Sequence, residues 1–338
     1  MPLNSLSALK IGEGNVRVLT LSSLEELSKL HELYKKGEDI RILGEGTNSV
    51  FGSFSGLIVK LNLLGLTWTD PYTLTIAGGE QWQTAVDATI ALNLTGIERL
   101  TGIPGTVGAA PIQNIGAFGQ LLSVVLSTVT VYDYALNATL TIPALECGFG
   151  AHRQSNFKTK LSWSTYCIIS ITLNLASSDA FQKPDYDALV EYASSHDLAL
   201  SSSKSVEHVV WKYRLETYPD YRIIPNTGSY FTNFESSIEE VEALPQSIMN
   251  IKHKMIESGR IRFQCKDLLD SIGVHKGHIF SGGLQMRDSH NNFLINPDST
   301  ATVKDLLDCH DYVNSRLKEK YGITLTPEAE FIDDSTAR

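Results

Sequence analysis

The segment from Gly102 to Gly119, "GIPGTVGAAPIQNIGAFG", constrains the fold more than any other part of the chain. It holds five glycines and two prolines in eighteen residues and carries no charge. Glycine admits backbone conformations and close approaches that a Cβ forbids, and proline fixes φ and removes a donor. A stretch built this way is neither a regular helix nor a central strand; its backbone is shaped to wrap something. Turn chemistry alone does not call for Gln113 and Asn114 among such small neighbours. Amides that both donate and accept suit the edge of a heterocycle or the oxygens of a diphosphate.

The charge-free run extends from Arg99 to Asp133, but its apolar part, "LLSVVLSTVTVY", is only twelve residues long, too short to span a bilayer. The formal net charge of −10 argues against a nucleic-acid or anionic-membrane partner, whose footprint is basic. The one basic stretch, "IKHK" with "GRIRF" at residues 251 to 263, reads as a solvated helix face. The N-terminal residues show no charged region followed by an apolar run, so no secretory signal is expected and the cytoplasm is the expected location. Cys147, Cys167, Cys265 and Cys309 are widely spaced, which reads as buried or free thiols in a reducing compartment.

The patterns along the chain are those of an α+β protein. "VRVLTL" reads as a strand, followed by a helix with Ser23 and Glu26 as a capping box, Leu24, Leu27, Leu30 and Tyr34 on one face, and Gly37 at its end. "DIRIL" and "GLIVKLNLLGL" supply further strands. After residue 74 come "LTIAGG", the helix "EQWQTAVDATIALNL", and β-rich runs at 124–134, 138–142 and 166–176. Residues 176 to 205 are polar and serine-rich and read as a linker or mobile loop. Val206, Val209, Val210 and Tyr213 mark a helix that leaves Arg214 near its C-terminus. The last third holds "NTGSYFTNF", helical "IEEVEAL" and "KDLLDSIG", a strand "NNFLIN", a helix from Val303 to Tyr321 closed by Gly322, and a final strand in "ITLTPEAEFI".

Several motifs are modest alone. "GEGTNS" at 44–49 follows a strand but lacks the third glycine of a Rossmann fingerprint; its turn still offers backbone N–H groups, a hydroxyl and an amide to a pyrophosphate. Ser229 follows Gly228 without a Gly-x-Ser-x-Gly elbow, which argues against a hydrolase nucleophile. His275 and His278 lack a third ligand nearby and read as surface histidines, so no metal is expected. Glu328 and Glu330, one residue apart, face the same side if they lie on a strand.

Taken in order, "ILGEGTNSVF", "TGIPGTVGAAPIQNIGAFG", "RQSNFK", "NTGSYFTN", "LLDSIG" with "KG", "HNNFLIN" and "LTPEAEFI" resemble the UDP-N-acetylenolpyruvoylglucosamine reductase family across essentially the whole chain. The resemblance implies a vanillyl-alcohol-oxidase-type FAD-binding unit of two subdomains, residues 1–66 with the return of 329–338 and residues 67–215, plus an α+β substrate domain at 216–328. It implies that FAD is cradled by Gly44, Glu45, Gly46, Thr47, Asn48 and Ser49, by Gly102, Ile103, Pro104, Gly105, Gly108, Ala109, Gln113, Asn114, Gly116, Ala117 and Gly119, and by Arg214. NADPH is then the hydride donor and UDP-N-acetylglucosamine enolpyruvate the substrate.

By the same resemblance Arg153 holds the substrate carboxylate, Glu328 stabilises enolate charge, and Ser229 delivers the proton. Tyr186, Asn233 and His290 are the implied substrate contacts. The chain departs from the family at three places: Thr217 stands where a diphosphate-contacting lysine is usual, His152 replaces a tyrosine, and Glu330 replaces an arginine near the flavin. A monomer is expected, with no nucleic-acid or membrane partner. The alternatives are a flavin- or nucleotide-binding homologue with lost or altered turnover and a related FAD-linked oxidase.

Overall fold

The structure is a computed structural model that describes residues 1–150, 155–159, 165–256 and 258–334. The chain divides into two compact units, Val16–Glu45 with Ser55–Thr217, and Met1–Asn15 with Gly46–Phe54 and Tyr218–Arg338.

The first unit has two sheets. Strand Leu57–Leu61 is the centre of a parallel trio with Arg17–Leu21 and Ile40–Ile42 on either side. Helix Ser28–Lys35 packs on this trio through Leu30, helped by Leu27 just before it, both buried with Leu21, Ile40 and Val59. The expected face is only half realised, because Leu24 and Tyr34 are exposed. Residues Glu25–Leu27 form a 3-10 turn, whose three-residue period moves Leu24 off the α-helical stripe. The Glu26 carboxylate accepts from the Ser22 N–H at 2.8 Å, with the Ser23 backbone N–H beside it.

The larger sheet is antiparallel, in the order Ala138–Pro143, Leu126–Asp133, Tyr166–Asn174, Thr73–Ala77, Leu66–Trp68. Its inward valines, leucines and isoleucines join Trp82, Ala85 and Val86 of helix Trp82–Ala91 in one core. Residues 176 to 205, expected as a linker, contain helix Asp187–Ser195. Leu189, Ala193 and Leu200 bury themselves against Val206, Val209 and Val210 of helix Ser203–Thr217. Polar composition hid a helix that buries only two apolar anchors, Leu189 and Ala193, with Leu200 beyond its end completing the contact.

In the second unit, antiparallel strands Asn226–Ser229, His290–Ile295 and Gln285–Arg287 form one sheet. A second three-stranded sheet joins Phe234–Ser236, Ile261–Phe263 and His253–Met255. The basic stretch at 251–263, expected as a helix face, is therefore a strand pair whose Ile261 and Phe263 are buried. Helix Val303–Tyr321 matches its expected bounds, with a capping box between Thr302 and Asp305 at one end and Gly322 at the other.

The final segment is strand only over Glu330–Ile332, which pairs in parallel with Ser49–Phe51. Residues 1–15 and 46–54, which the sequence reading groups with the first subdomain, thus cluster with the C-terminal third. All four cysteines are buried and free. Among the described residues no helix is long and apolar enough to cross a membrane, and no three His, Cys, Asp or Glu side chains gather as a metal site would require.

Truncating Leu189 to alanine removes the largest of these anchors. The expected cost is about 2–5 kcal/mol, read from chemical denaturation, with Val190→Ala on the same helix as an exposed control. An unchanged midpoint for Leu189→Ala would restore the linker reading.

Candidate functional site

In the first unit the glycine-rich segment is threaded through the core of the larger sheet. Its entry is fixed by the Trp82 side chain, whose indole N–H donates to the Leu100 carbonyl, and by Gln83, whose Oε1 accepts from the Gly102 N–H at 2.7 Å. Neither helix residue was among the expected site residues; both stand at the start of helix Trp82–Ala91, whose apolar pattern masks a polar task. Further on, the Gly108 N–H donates to the Gly78 carbonyl at 2.8 Å. A Cβ on Gly108 would come within 3.0 Å of the Gly78 and Ile168 carbonyl oxygens, and one on Gly78 within 2.3 Å of the latter. Two backbones touch here, and only glycine permits it.

The segment ends in a hairpin, Gly116–Ala117 paired with Gln120–Leu121. Its two turn residues, Phe118 and Gly119, both have positive φ, at 49° and 81°. That is the signature of a two-residue turn of the primed type. Phe118 carries the strain because its ring is buried, edge-on to Tyr186 at 5.6 Å and to Tyr213 at 5.4 Å. Arg99 donates from Nη1 to the Phe118 carbonyl, and its backbone N–H donates to Gln120 Oε1. Glu98, buried at 2% exposure, accepts from Thr95, the Gly96 N–H and Gln120.

Asn114 departs from expectation. It is fully buried with φ at 42°, its Nδ2 donates to the Gly150 carbonyl, and its Oδ1 accepts from the Ser123 N–H. Its amide shapes the turn, whereas Gln113 stays partly exposed. Arg214 packs its stem on Gly102, where an added Cβ would meet its Cδ at 2.9 Å. Tyr186 precedes helix Asp187–Ser195 and is half exposed against Phe118. The partly open surface of small residues, backbone groups and the Gln113 amide, without a carboxylate between residues 100 and 132, fits a neutral heterocycle and its diphosphate.

In the second unit Ser229 ends strand Asn226–Ser229, opposite Phe293. The next residue, Tyr230, donates its N–H to the Asn292 carbonyl at 2.8 Å and accepts from the Glu328 N–H at 2.7 Å. Ser229 and Glu328 are thereby joined through one intervening peptide. The Asn292 side chain, buried at 5%, accepts from the Phe231 N–H and donates to the Phe231 carbonyl. Asn48 donates to the Glu328 carbonyl at 3.3 Å, and its own carbonyl accepts from the Glu330 N–H. Its task in this unit is holding the tail. Glu328 precedes the strand that begins at Glu330, so the shared strand face expected for the two carboxylates is absent.

Gly46 is held by the Ala8 N–H and lies so close to Leu6 that a Cβ would overlap its carbonyl. Asn233 accepts from the Cys265 N–H at the start of helix Cys265–Ser271. His290 is pushed below the ordinary imidazole range by burial first, then by Lys266, Lys276 and Arg287. Its Nδ1 faces the Asn292 N–H at 3.1 Å, so the neutral ring carries its proton on Nε2. Arg153 and His152 lie outside the described residues. Thr217 is the last residue of helix Ser203–Thr217.

Residues 17–136 match an FAD binding domain, and residues 219–332 match the C-terminal domain of UDP-N-acetylenolpyruvoylglucosamine reductase. The fold and site thus define a flavin-binding protein with a dedicated C-terminal domain. The UDP-N-acetylenolpyruvoylglucosamine reductase of Yersinia pestis is 30% identical over 323 residues, covering 94% of this chain and 91% of its own. That of Aliivibrio fischeri is 32% identical, covering 98% and 92%. The solved UDP-N-acetylenolpyruvylglucosamine reductase from Thermus caldophilus shares the fold, with a TM-score of 0.66 at 21% identity over 98% of this chain and 97% of that one. The chain belongs to the UDP-N-acetylenolpyruvoylglucosamine reductase family.

His310 of the long helix accompanies Ser229's neighbour: its Nε2 lies 2.6 Å from the Tyr230 hydroxyl. Burial pushes its pKa down to about 4, with Asp311 opposing. The unfolded imidazole titrates near about 6.5, so between these values the unfolded chain binds the extra proton and stability falls as pH drops. This contribution is absent above about pH 6.5 and reaches a loss of roughly 3 kcal/mol below about pH 4. His310→Gln should flatten the acid side of a stability-versus-pH curve across that window; an unchanged slope would mean His310 does not titrate there.

Proposed function

We propose that the chain is an NADPH-dependent flavoenzyme, a UDP-N-acetylmuramate dehydrogenase, that reduces the enolpyruvyl group of UDP-N-acetylglucosamine enolpyruvate to UDP-N-acetylmuramate for peptidoglycan synthesis. The observation that supports it best is the joining of Ser229 to Glu328 through the Tyr230 peptide, in a chain whose relatives are named for that reductase. Bound FAD supplies hydride chemistry, refilled from NADPH. Residues 44–49, 102–119 and Arg214 hold the dinucleotide with backbone and amide groups.

Around the substrate, Arg153 grips the carboxylate. Reduction of the vinyl terminus would leave enolate charge at the neighbouring carbon, which Glu328 in its protonated form would stabilise by donating a hydrogen bond. The Ser229 hydroxyl then delivers the proton; a serine is a weak acid, but the enolate is a strong base and bulk water is kept away. Tyr186, Asn233 and His290 contact the nucleotide. In this reading residues 1–66 with 329–338 and residues 67–215 serve the flavin, and 216–328 serve the substrate. The protein works as a cytoplasmic monomer on small molecules, with no nucleic-acid partner.

Purified protein should be yellow, NADPH should bleach it, and the enolpyruvyl nucleotide should restore the colour. A folded, colourless protein would refute the flavin assignment, and retained flavin without bleaching would indicate a binding homologue. Ser229→Ala should leave bleaching intact and slow recolouring by at least about a hundredfold, the usual contribution of a positioned acid. Equal slowing of both half-reactions would remove Ser229 from proton delivery.

A further inference from the structure

We propose that the hydrogen bond between the Tyr230 hydroxyl and His310 is the positioning device of the proton-delivery site, setting the main-chain register on which Ser229 and Glu328 meet. The proposal rests on the roles given above to those two residues.

Tyr230 is 1% exposed, and its ring is enclosed edge-on by Phe231 at 5.0 Å and flanked by His310 at 5.5 Å. A hydrophobic slot of this kind would take phenylalanine equally well, so the hydroxyl must answer to something else. It has a partner at 2.6 Å on the middle of a nineteen-residue helix. That helix is held by Leu306, Cys309, Val313 and Leu317 in the same core as Tyr230 and Phe231. Desolvation raises the phenol pKa and lowers that of the imidazole, so both groups are neutral at ordinary pH. A neutral pair gives one directed hydrogen bond whose removal leaves a buried polar atom unmatched.

The direction of that bond matters because of what the Tyr230 backbone does. Its N–H and C=O are committed to Asn292 and to Glu328 respectively. The next peptide is gripped by the Asn292 amide, and Thr232 donates to the Thr326 carbonyl. The strand segment is therefore bonded on both sides, and the side-chain tether to the helix adds a third fixed point. Its loss would let the Tyr230 ring shift in its slot and carry the main chain between Ser229 and Glu328 with it. Tyr230 and His310 touch neither substrate nor flavin in this account; they act through the residues they hold.

Tyr230→Phe keeps the ring and removes only the tether. In stopped-flow measurements on the flavin-loaded enzyme, bleaching by NADPH should proceed at the wild-type rate, while recolouring by the enolpyruvyl nucleotide slows about tenfold to a hundredfold, as small misplacements of reacting groups do. A merely structural role would lower thermal stability and leave that split unchanged. His310→Leu should reproduce the defect, and His310→Gln, which keeps a hydrogen-bonding atom near Nε2, should recover most of the recolouring rate; this pair carries the test should Tyr230→Phe fail to fold. Wild-type recolouring in Tyr230→Phe, beside a slow Ser229→Ala, overturns the proposal and leaves the proton-donor role standing. A fast Ser229→Ala instead refutes that role and the proposal with it.

Discussion

The main chain of Tyr230 is the constraint on which the second unit depends. One peptide N–H reaches strand His290–Ile295 and the carbonyl of the same residue receives the Glu328 N–H. Together with the bond from Thr232 to Thr326, these fix the segment that bears Ser229 against the segment that bears Glu328. The side chains around it reinforce that relation: Asn292 satisfies both polar groups of Phe231, and Asn48 takes up the carbonyl of Glu328. Buried amides of this kind contribute little net energy when paired and cost heavily when unpaired, which makes them suited to specifying register rather than to adding stability.

The first unit solves a different problem by the opposite means. Its glycine-rich segment gains position from contact of bare backbones, Gly108 on Gly78, and from an aromatic anchor, Phe118, at the far end. Between these two fixed points the chain is neutral and small. The Arg99 and Glu98 side chains bond the hairpin from beside it, so charge steadies the loop without entering it.

How much of this was legible in the sequence depended on whether the signal was local. Helix Val303–Tyr321 was readable because its cap, its apolar period and its closing glycine lie within twenty residues or so of one another. The strands of the larger sheet were readable from Val, Ile and Thr enrichment. Helix Asp187–Ser195 was not, since its two buried residues, Leu189 and Ala193, in a serine-rich stretch look like solvent-facing chain until a second helix is seen to cover them. The strand pair at 253–263 was mistaken because lysines and arginines dominate its pattern, while its buried Ile261 and Phe263 are only two. At the site, residue identities came from the family resemblance, and the roles of Asn48, Asn114 and Asn233 in holding backbone were hidden because hydrogen-bond partners distant in sequence leave no trace in spacing. The bond of Asn48 to Glu328 spans 280 residues.

That span also orders events in the making of the protein. The parallel pairing of Ser49–Phe51 with Glu330–Ile332 joins an early segment to a very late one. While the chain emerges from the ribosome, the first unit has all of its own residues by Thr217, whereas strand Ser49–Phe51 must wait for its partner until residues Glu330–Ile332 have been made. The two units thus have their full sets of residues at different moments of synthesis, and the main-chain bonds that link the segments bearing Ser229 and Glu328 can form only after a further hundred or so positions have followed Thr217.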